Sequence, residues 1–410
     1  MRRSFVLVLF FGAGCETLVG VESKKSENPR DASVAGSGGD SSGGNAGSNT
    51  GGSAGRDASD APADASGGSA GREASSDAPA ETTGGSAGAG ATGGTSDGSD
   101  APVVPASECP REFELSAFAD PVAIAAGPDG NLWFAESGLA KIGKIELSGR
   151  VTEFGPTSPL PSSITAGEDG ALWYVTRVDR VLPGRVGRIS TSGSIQEWPL
   201  DGAPVQIAKG PDGNVWFTYV SGRVGKITSA GEVTSYDVPS PDGAPPGDFI
   251  GITSHVDGNL WFVEQRGFEN YGPSYIVSAT PGGSMREFPL TETPFRTSAF
   301  SIVSGPDGAL WFTEVTGIGR LTTSGAHTRF YANSYSGYVD LEFDRNGNLW
   351  LTDNPQNRLG RMSPEGVYEW FPLPHANSHP NEIALGPDGN LWFVEREGNR
   401  IGRMNPACRP

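Results

Sequence analysis

The hydrophobic residues of this chain recur in short alternating runs rather than in helical stripes. One such run, Pro121 to Ala126, is followed by the turn Gly127-Pro128-Asp129-Gly130 and by an aromatic-rich run from Asn131 to Glu136. Proline sets the backbone of such a turn, and glycine supplies a positive φ. Two further runs follow, Lys141 to Leu147 and Arg150 to Phe154. The four runs together predict one sheet of four antiparallel strands with hairpin-length links.

The same unit is written seven times along the chain. Each copy is marked by a tryptophan followed by a large apolar residue, at Trp133, Trp173, Trp216, Trp261, Trp311, Trp350 and Trp392. A repeat of roughly 40 to 50 residues without a helical stretch is typical of propeller blades. The pattern therefore predicts an all-β fold, a seven-bladed β-propeller of four-stranded blades.

The seventh unit is incomplete. It supplies three predicted strands, Asn381 to Leu385, Asn390 to Glu395 and Arg400 to Met404, and then the chain stops at Pro410. The missing pattern stands before the first unit, at Arg111 to Leu115. We therefore expect the N-terminal strand to close the last blade, which removes the free sheet edges that invite aggregation.

A cysteine stands at each end of this joint. If Glu112 takes the place that Glu197 has in the second unit, Cys109 and Cys408 meet inside one turn. An exported protein permits a disulfide. The register predicts a bond between Cys109 and Cys408.

The first fifteen residues have the features of an export signal. Arg2 and Arg3 precede a short apolar run, Phe5 to Phe11, and small residues lead to Cys15. That run is too short to span a bilayer. Gly12-Ala13-Gly14-Cys15 resembles a bacterial lipobox and predicts lipidation of Cys15. A secreted chain that loses Cys15 with its signal is the alternative, and both are extracytoplasmic.

Composition divides the rest of the chain. Residues 16–107 are dominated by Gly, Ser, Ala and Asp, and offer too few apolar groups to offset the entropy of ordering. We expect a signal peptide at 1–15, a disordered tether at 16–107 and the propeller at 108–410.

The net charge of −18 argues against nucleic acid or an anionic membrane surface as a partner. The membrane is then reached only through Cys15, and a closed ring is expected to be a monomer.

The seven units share the pattern P-x-x-I-x-x-G-P-D-G-x-L-W-F-x-E … I-G-R/K-I … E-F across residues 111–404. This resembles the streptogramin lyase family of the virginiamycin B lyase type. The resemblance implies a seven-bladed propeller that opens cyclic depsipeptide antibiotics by C–O elimination, with Mg²⁺ and histidine. Similarity of the scaffold does not by itself carry the function.

The resemblance also implies where the base should be. In the active enzymes a catalytic histidine follows the proline that opens the innermost strand of the last two blades. The matching positions here are Val122, Ser162, Val205, Ile250, Phe300, Val339 and Asn381. An elimination needs a base that titrates near neutral pH, and these side chains supply none.

His379, just before Pro380, is a candidate displaced base, with a solvated loop histidine as the alternative. His327 is expected in a turn between a third and a fourth strand.

Acidic residues close most of the second strands. They are Glu136, Glu264, Glu314, Asp353 and Glu395. Antiparallel connections place them at the end of the ring where the first strands begin. They predict a metal or cationic-ligand site there. The alternative is that each pairs with a neighbouring cation such as Lys141, Arg361 or Arg400.

The fourth unit carries an insertion, Gln265 to Tyr275, at the same end of the ring. Arg266, Phe268, Tyr271 and Tyr275 could form the wall of a pocket, since binding groups often lie on loops of a rigid scaffold. A solvated loop with incidental aromatics is the alternative.

Three hypotheses about function follow. The first is a propeller that binds a small molecule or peptide and lacks the lyase histidines. The second is an active streptogramin lyase-type enzyme, Mg²⁺-assisted, with His379 as a shifted base. The third is a metal-dependent, lactonase-like hydrolase using Asp340, Glu382 and Asn381.

Overall fold

The computed structural model describes residues 109–410, apart from 221, 240–246, 267–273, 291–298, 315–316 and 332–336. Its strands form seven four-stranded antiparallel sheets, which confirms the predicted all-β propeller. The predicted signal peptide, Cys15 and the tether lie outside the described residues. Among the described residues, no helix is both long and apolar enough to cross a membrane.

The strands are numbered in chain order, and each blade uses four. The first strands of the blades are β2 (Pro121–Ala126), β6 (Pro161–Ala166), β10 (Pro204–Lys209), β14 (Asp248–Ser254), β18 (Ala299–Ser304), β22 (Tyr338–Phe343) and β26 (Pro380–Leu385). The second strands are β3 (Leu132–Glu136), β7 (Leu172–Thr176), β11 (Val215–Tyr219), β15 (Leu260–Gln265), β19 (Ala309–Glu314), β23 (Leu349–Asp353) and β27 (Leu391–Glu395). The third strands are β4 (Lys141–Ile145), β8 (Arg185–Ile189), β12 (Arg223–Ile227), β16 (Ser274–Ala279), β20 (Gly317–Thr322), β24 (Arg358–Met362) and β28 (Arg400–Met404). The fourth strands are β5 (Val151–Phe154), β9 (Ile195–Pro199), β13 (Val233–Asp237), β17 (Met285–Pro289), β21 (His327–Tyr331), β25 (Tyr368–Pro372) and, for the last blade, β1 (Arg111–Glu114).

The seven first strands form the inner ring. Each contacts the first strands of both neighbouring blades, so that together they surround the propeller axis. We call the end of the ring where the first strands begin and the second strands end the mouth. The opposite end carries the turns between first and second strands, and we call it the turn end.

The last blade closes as the sequence predicts. Strand β1 pairs with β28, and Glu112 lies opposite Gly402 just as Glu197 lies opposite Gly187 in the second blade. The predicted disulfide between Cys109 and Cys408 is confirmed, with a Cα–Cα distance of 5.7 Å. Because β1 begins and β28 ends away from the mouth, this disulfide lies at the turn end.

The repeated turn residues serve the scaffold. Asp129 Oδ1 accepts the indole N–H of Trp133 at 2.9 Å, while Asp129 Oδ2 accepts from the Asn131 amide. The same aspartate–tryptophan bond recurs in the other blades, with Asp169, Asp212, Asp257, Asp307, Asp344 and Asp388 as acceptors. A Cβ on Gly127 would lie 2.4 Å from the Trp133 ring, so only glycine fits beneath it. The repeated turn sequence therefore has a structural role within each blade.

Replacing one of these aspartates should destabilise the ring. In Asp212→Ala the buried Trp216 indole loses its acceptor, and an unpaired buried donor costs roughly 1–3 kcal/mol. We expect the free energy of unfolding in urea to fall by about 2 kcal/mol. The matched control is Glu232→Ala, because Glu232 is an exposed acid of the same blade. Equal losses in the two variants would contradict this role of the aspartate.

Candidate functional site

The mouth is shaped by a β-bulge in every blade. Each first strand shifts register against its second strand within its first few residues. In three blades a threonine hydroxyl accepts a backbone N–H freed at the bulge: Thr218 from Gln206, Thr313 from Ser301 and Thr352 from Asp340. Bulges of this kind re-aim side chains beside functional sites. Here they act on the residue next to the opening position of the inner strand in each of the seven blades, which in the last two blades is where the resemblance implies histidine.

We call those seven positions the collar. They are Val122, Ser162, Val205, Ile250, Phe300, Val339 and Asn381. Ser162, Ile250, Phe300 and Val339 are half-buried, while the other three are buried. The amide of Asn381 donates to the Val122 carbonyl at 2.7 Å, across the junction between the seventh and first blades. The collar is thus mostly apolar, and its one amide fastens two inner strands together.

His379 lies in the link just before β26. Its backbone has a φ of 52°, and its N–H donates to Asn357 Oδ1 at 3.2 Å. Asp120, just before β2, repeats this geometry with a φ of 46° and a bond to Asn399. The position is therefore a recurring structural one. The His379 ring is a partly exposed bridge, with Nδ1 3.0 Å from Asn354 Oδ1 and Nε2 3.4 Å from a Glu397 oxygen.

The acidic residues that end the second strands are all buried. Glu136, Glu264, Asp353 and Glu395 are 0 % exposed and Glu314 is 2 % exposed. Three of them hold arginines of their own blades: Glu264 with Arg266, Glu314 with Arg329 and Asp353 with Arg358, at 2.7, 2.7 and 2.8 Å.

The cations named as partners from the sequence were different ones. Lys141 bonds Glu153 at 2.5 Å, and Arg361 bonds Glu369. Three of the five acids thus pair inside their own blade. Their partners are Arg266, which the sequence suggested for a pocket wall, and Arg329 and Arg358, which it did not single out. The sequence did not predict these arginine partners, because the pairing depends on the strand register. The register decides which side chain lies beside the acid at the end of the second strand.

The remaining two acids lie in the first and last blades, and the pKa of both is raised. Both oxygens of Glu136 lack a hydrogen-bond partner among the described residues. Burial raises the pKa of Glu136 to about 7, and the charge of Glu153 adds to the shift. Burial likewise raises the pKa of Glu395 to about 7, with Glu112 close by. In the first blade the two carboxyls of Glu136 and Glu153 lie near Lys141. In the last blade those of Glu395 and Glu112 lie near Arg400.

The fourth-blade insertion is described only at its two ends. Arg266 is 6 % exposed, bonds both Glu264 and Glu287, and lies 4.1 Å from the Tyr275 ring centroid. Tyr275 belongs to β16. Phe268 and Tyr271 lie outside the described residues. The guanidinium of Arg266 is thus engaged inside its own blade.

His327 is placed differently from the sequence expectation, which was wrong. It opens strand β21 instead of standing in a turn. Its ring packs on Phe312, with centroids 5.5 Å apart, and its Nε2 lies 3.3 Å from a Glu314 oxygen. The turn hydrogen bonds run from Thr322 to Ala326, so the turn ends one residue before His327.

A second group of carboxyls bridges the inner strands. Asp340 accepts the Ser301 hydroxyl at 2.5 Å and the N–H of Ile383 at 3.0 Å. Glu382 accepts the N–H of Ile124 at 3.2 Å. Each carboxylate thus satisfies a backbone donor of the next blade, so these side chains close gaps between first strands.

These carboxyls also affect one another. Although Asp340, Glu342 and Glu382 keep some exposure, the surrounding strands enclose them, and this burial raises the pKa of each. The pKa of Glu342 reaches about 7, and the charge of Asp340 contributes to the shifts of both glutamates. The sequence suggested Asp340 and Glu382 but missed Glu342. Its period-two spacing from Asp340 in β22 was the available signal.

The donors that Mg²⁺ would need are not gathered in one cluster of side chains among the described residues. Magnesium takes several oxygen ligands in near-octahedral geometry. Within the described part of the chain, no three His, Cys, Asp or Glu side chains converge as a metal site. The strand-end acids lie in separate blades, and three of them are already bonded to arginine.

Comparison with known proteins agrees with the architecture. The model of the virginiamycin B lyase family matches residues 95–316 and 296–409. The virginiamycin B lyase of Nocardia farcinica is 27% identical over 234 residues, which cover 56% of this chain and 75% of that protein.

Solved structures give the same result. A streptogramin B lyase structure matches with a TM-score of 0.62 and 29% identity, covering 72% of this chain and 97% of that chain. The selenomethionine-substituted virginiamycin B lyase of Staphylococcus aureus matches with a TM-score of 0.63 and 30% identity, over 72% of this chain and 98% of that one. Both the family match and the seven-bladed ring cover the whole described domain. This chain belongs to the virginiamycin B lyase family.

Proposed function

We propose that this chain is an exported, lipid-anchored member of the family that binds a small molecule or peptide at the mouth and does not linearise streptogramins. The observation that carries the proposal is the collar. Val339 and Asn381 occupy the positions of the family's catalytic histidines, and neither can take up a proton near neutral pH.

The environment of Asn381 supports a structural role for that position. Its side chain is 6 % exposed and is bonded to the Val122 carbonyl. Its amide therefore joins two blades and offers a reacting molecule no base. His379, the candidate replacement, has a backbone conformation that Asp120 repeats in the first blade.

The mouth remains the favoured place for a ligand. Its half-buried apolar collar residues offer contact surface, and pockets for small molecules are mostly apolar with a few polar groups. Three of the strand-end acids, Glu264, Glu314 and Asp353, pair with arginines of their own blades and so help to hold the blade ends in place.

The test is incubation of the full chain with a streptogramin B such as quinupristin and Mg²⁺. Because elimination leaves the mass unchanged, the product is identified by retention time and fragmentation. We expect intact antibiotic after hours of incubation, from protein whose circular dichroism shows it folded. An active member of the family is the positive control. Formation of linear product, and its loss in His379→Ala, would establish instead a lyase with a shifted base.

The hydrolase is the one alternative with a structural observation in its favour. Asp340 and Glu382 lie close enough for the charge of Asp340 to raise the pKa of Glu382, and a protonated carboxyl is a possible general acid. Hydrolysis of a panel of simple lactones, abolished in both Asp340→Asn and Glu382→Gln, would favour it over the binding propeller. The mostly apolar collar weighs against it.

A further inference from the structure

Two links between blades share an unusual backbone. The link from β1 to β2, residues 115–120, holds Phe118 in a left-handed conformation with a φ of 66°. The link from β25 to β26, residues 373–379, holds Asn377 at the equivalent place with a φ of 58°. Each of these residues stands three positions before the proline that opens an inner strand. Because inner strands begin at the mouth, both links lie there.

An asparagine side chain fixes each link in the same way. The Asn399 amide donates to the Ser116 carbonyl at 2.7 Å and accepts the Asp120 N–H at 3.2 Å. Asn357 makes the two equivalent bonds to the other link, also at 2.7 and 3.2 Å. The left-handed position is therefore part of a repeated structural arrangement, and either residue type is held in it.

Phenylalanine is a poor residue for this position. Asparagine enters the left-handed region readily, whereas for a bulky side chain such a φ is an outlier. The Phe118 residue is also 84 % exposed, so its ring gains little from burial within its own chain. Backbone outliers of this kind concentrate at binding and catalytic sites. The contrast with Asn377 indicates that the ring serves a contact outside the chain.

The link is held firmly against the first blade. The N–H of Gly138 donates to the Ala119 carbonyl at 3.0 Å. A Cβ on Gly138 would lie 2.1 Å from the Phe118 carbonyl oxygen, so the turn after β3 packs directly on the link. These contacts place Phe118 at the mouth, where β3 ends. Its backbone needs no ordering before it meets a ligand, which lowers the entropic cost of binding.

The collar is within reach of the same ligand. Phe118 stands four residues before the collar residue Val122. Four residues of chain span at most about 14 Å. A molecule that contacts both Phe118 and the collar is therefore extended, over the length of about four residues of a peptide strand.

Acids are the most exposed charged groups beside this link. The side chain of Glu114, just before the link, is 86 % exposed, and that of Glu397, in the turn after β27, is 53 % exposed. The nearby arginines, Arg396 and Arg400, are each 19 % exposed and each lies within 4.0 Å of an acid. The charge presented to solvent is thus negative and complements a positively charged group.

We propose that Phe118 is an aromatic contact residue of the mouth, and that the ligand there is an extended peptide with an apolar side chain beside a lysine or arginine. The apolar group packs on the ring, whose large area suits such a contact. The cation faces Glu114 and Glu397, and the rest of the peptide reaches the collar. This inference rests on the proposed function, because it takes the mouth as the place of binding, and it adds the chemical class of the ligand.

Peptide titration followed by NMR tests the proposal. The probes are three acetylated hexapeptide amides of alternating Lys-Leu, Lys-Ser and Glu-Leu, added to the full ¹⁵N-labelled chain. The amides of Ala119 and Gly138 report on the link, and those of Val205 and Val339 report on the collar. We expect the Lys-Leu peptide to shift both sets and to bind about fivefold more tightly than either other peptide, as contact with an anchor residue provides.

Phe118→Asn removes the ring and supplies the residue of the equivalent link. We expect it to weaken binding of the Lys-Leu peptide about fivefold. We also expect it to raise the melting temperature by about 2 °C, because the left-handed conformation costs asparagine less. Val256→Asn is the matched control, since Val256 is 85 % exposed in a turn at the turn end, and it should change neither quantity.

Several results would overturn the proposal. They are no binding of the Lys-Leu peptide, equal affinity for the Glu-Leu peptide, and unchanged affinity in Phe118→Asn. A lower melting temperature of Phe118→Asn would show that the ring stabilises the fold. Loss of vesicle flotation or of self-association in that variant would assign the ring to a membrane or to a second copy of the chain.

Failure of this inference is distinguishable from failure of the proposed function. If the Lys-Leu peptide shifts the collar amides equally in the parent and in Phe118→Asn, binding at the mouth stands and the role of Phe118 fails. If the peptide shifts only the link amides, and Phe118→Asn abolishes those shifts, the contact on Phe118 stands and binding at the collar fails.

Discussion

Removing the Cys109–Cys408 disulfide is expected to lower the melting temperature of the full chain by about 10 °C. The bond closes a loop with a sequence separation of 299. In the chain-entropy model such a loop contributes about 5 kcal/mol by restricting the unfolded chain. One kcal/mol shifts the melting temperature of a large domain by roughly 2 °C. Scanning calorimetry of Cys109→Ser/Cys408→Ser beside the oxidised chain measures the difference.

The reducing agent supplies the control for that experiment. Dithiothreitol should shift the oxidised parent to the melting temperature of the double variant and leave the variant itself unchanged. The strand pairing of β1 with β28 remains in both, so the ring should still form. A double variant that melts within 2 °C of the parent would show that strand pairing alone closes the ring.

Raising the pH from 5 to 9 is expected to destabilise the propeller, with Glu136 as a major cause. The pKa of its carboxyl is about 7 in the folded chain, against a reference of 4.5. Its stabilising contribution is complete below pH 4.5 and is lost as the pH rises through 7, because the folded state must then hold a buried charge. A difference of this size corresponds to about 3 kcal/mol per group. Glu395 should add a similar loss.

Urea denaturation at intervals between pH 5 and 9 measures this effect. Glu136→Gln keeps the shape of the side chain and cannot ionise, so its stability should change less with pH. At pH 8.5 we expect it to exceed the parent by about 2 kcal/mol. Glu232→Gln, an exposed acid, should follow the parent throughout. If Glu136→Gln keeps the parental pH slope, the buried carboxyl is not the source of it.

The fold could be predicted from the sequence because its signals are local and repeated. Seven copies of one turn, one tryptophan and one alternating strand pattern leave little choice of architecture. Strand bounds in the first blade differ from expectation by one or two residues, as for β4 and β5, because the ends of strands depend on pairing. The closure of the last blade could also be predicted. Counting the turn residues from Met404 to Cys408 and from Cys109 to Glu112 gives the register of β1 against β28.

The site was harder to predict because its contacts join distant parts of the chain. The sequence marks the acids that end the second strands, yet nothing local shows that Arg329 pairs with Glu314, or that Glu136 has no hydrogen-bond partner among the described residues. The bridges from Asp340 to Ile383 and from Glu382 to Ile124 exist only where inner strands of different blades meet. The ion pair between Arg180 and Asp248 also joins different blades.

The sequence by itself determined the number of blades, the strands within them, the closing strand and the disulfide. The resemblance to the family implies histidine at the positions of Val339 and Asn381. Only the tertiary structure decided which charges are paired and which carboxyls are buried with a raised pKa. The physical reason is range: turns and alternation act between neighbours in the chain, whereas burial and charge pairing depend on whatever the closed ring brings together.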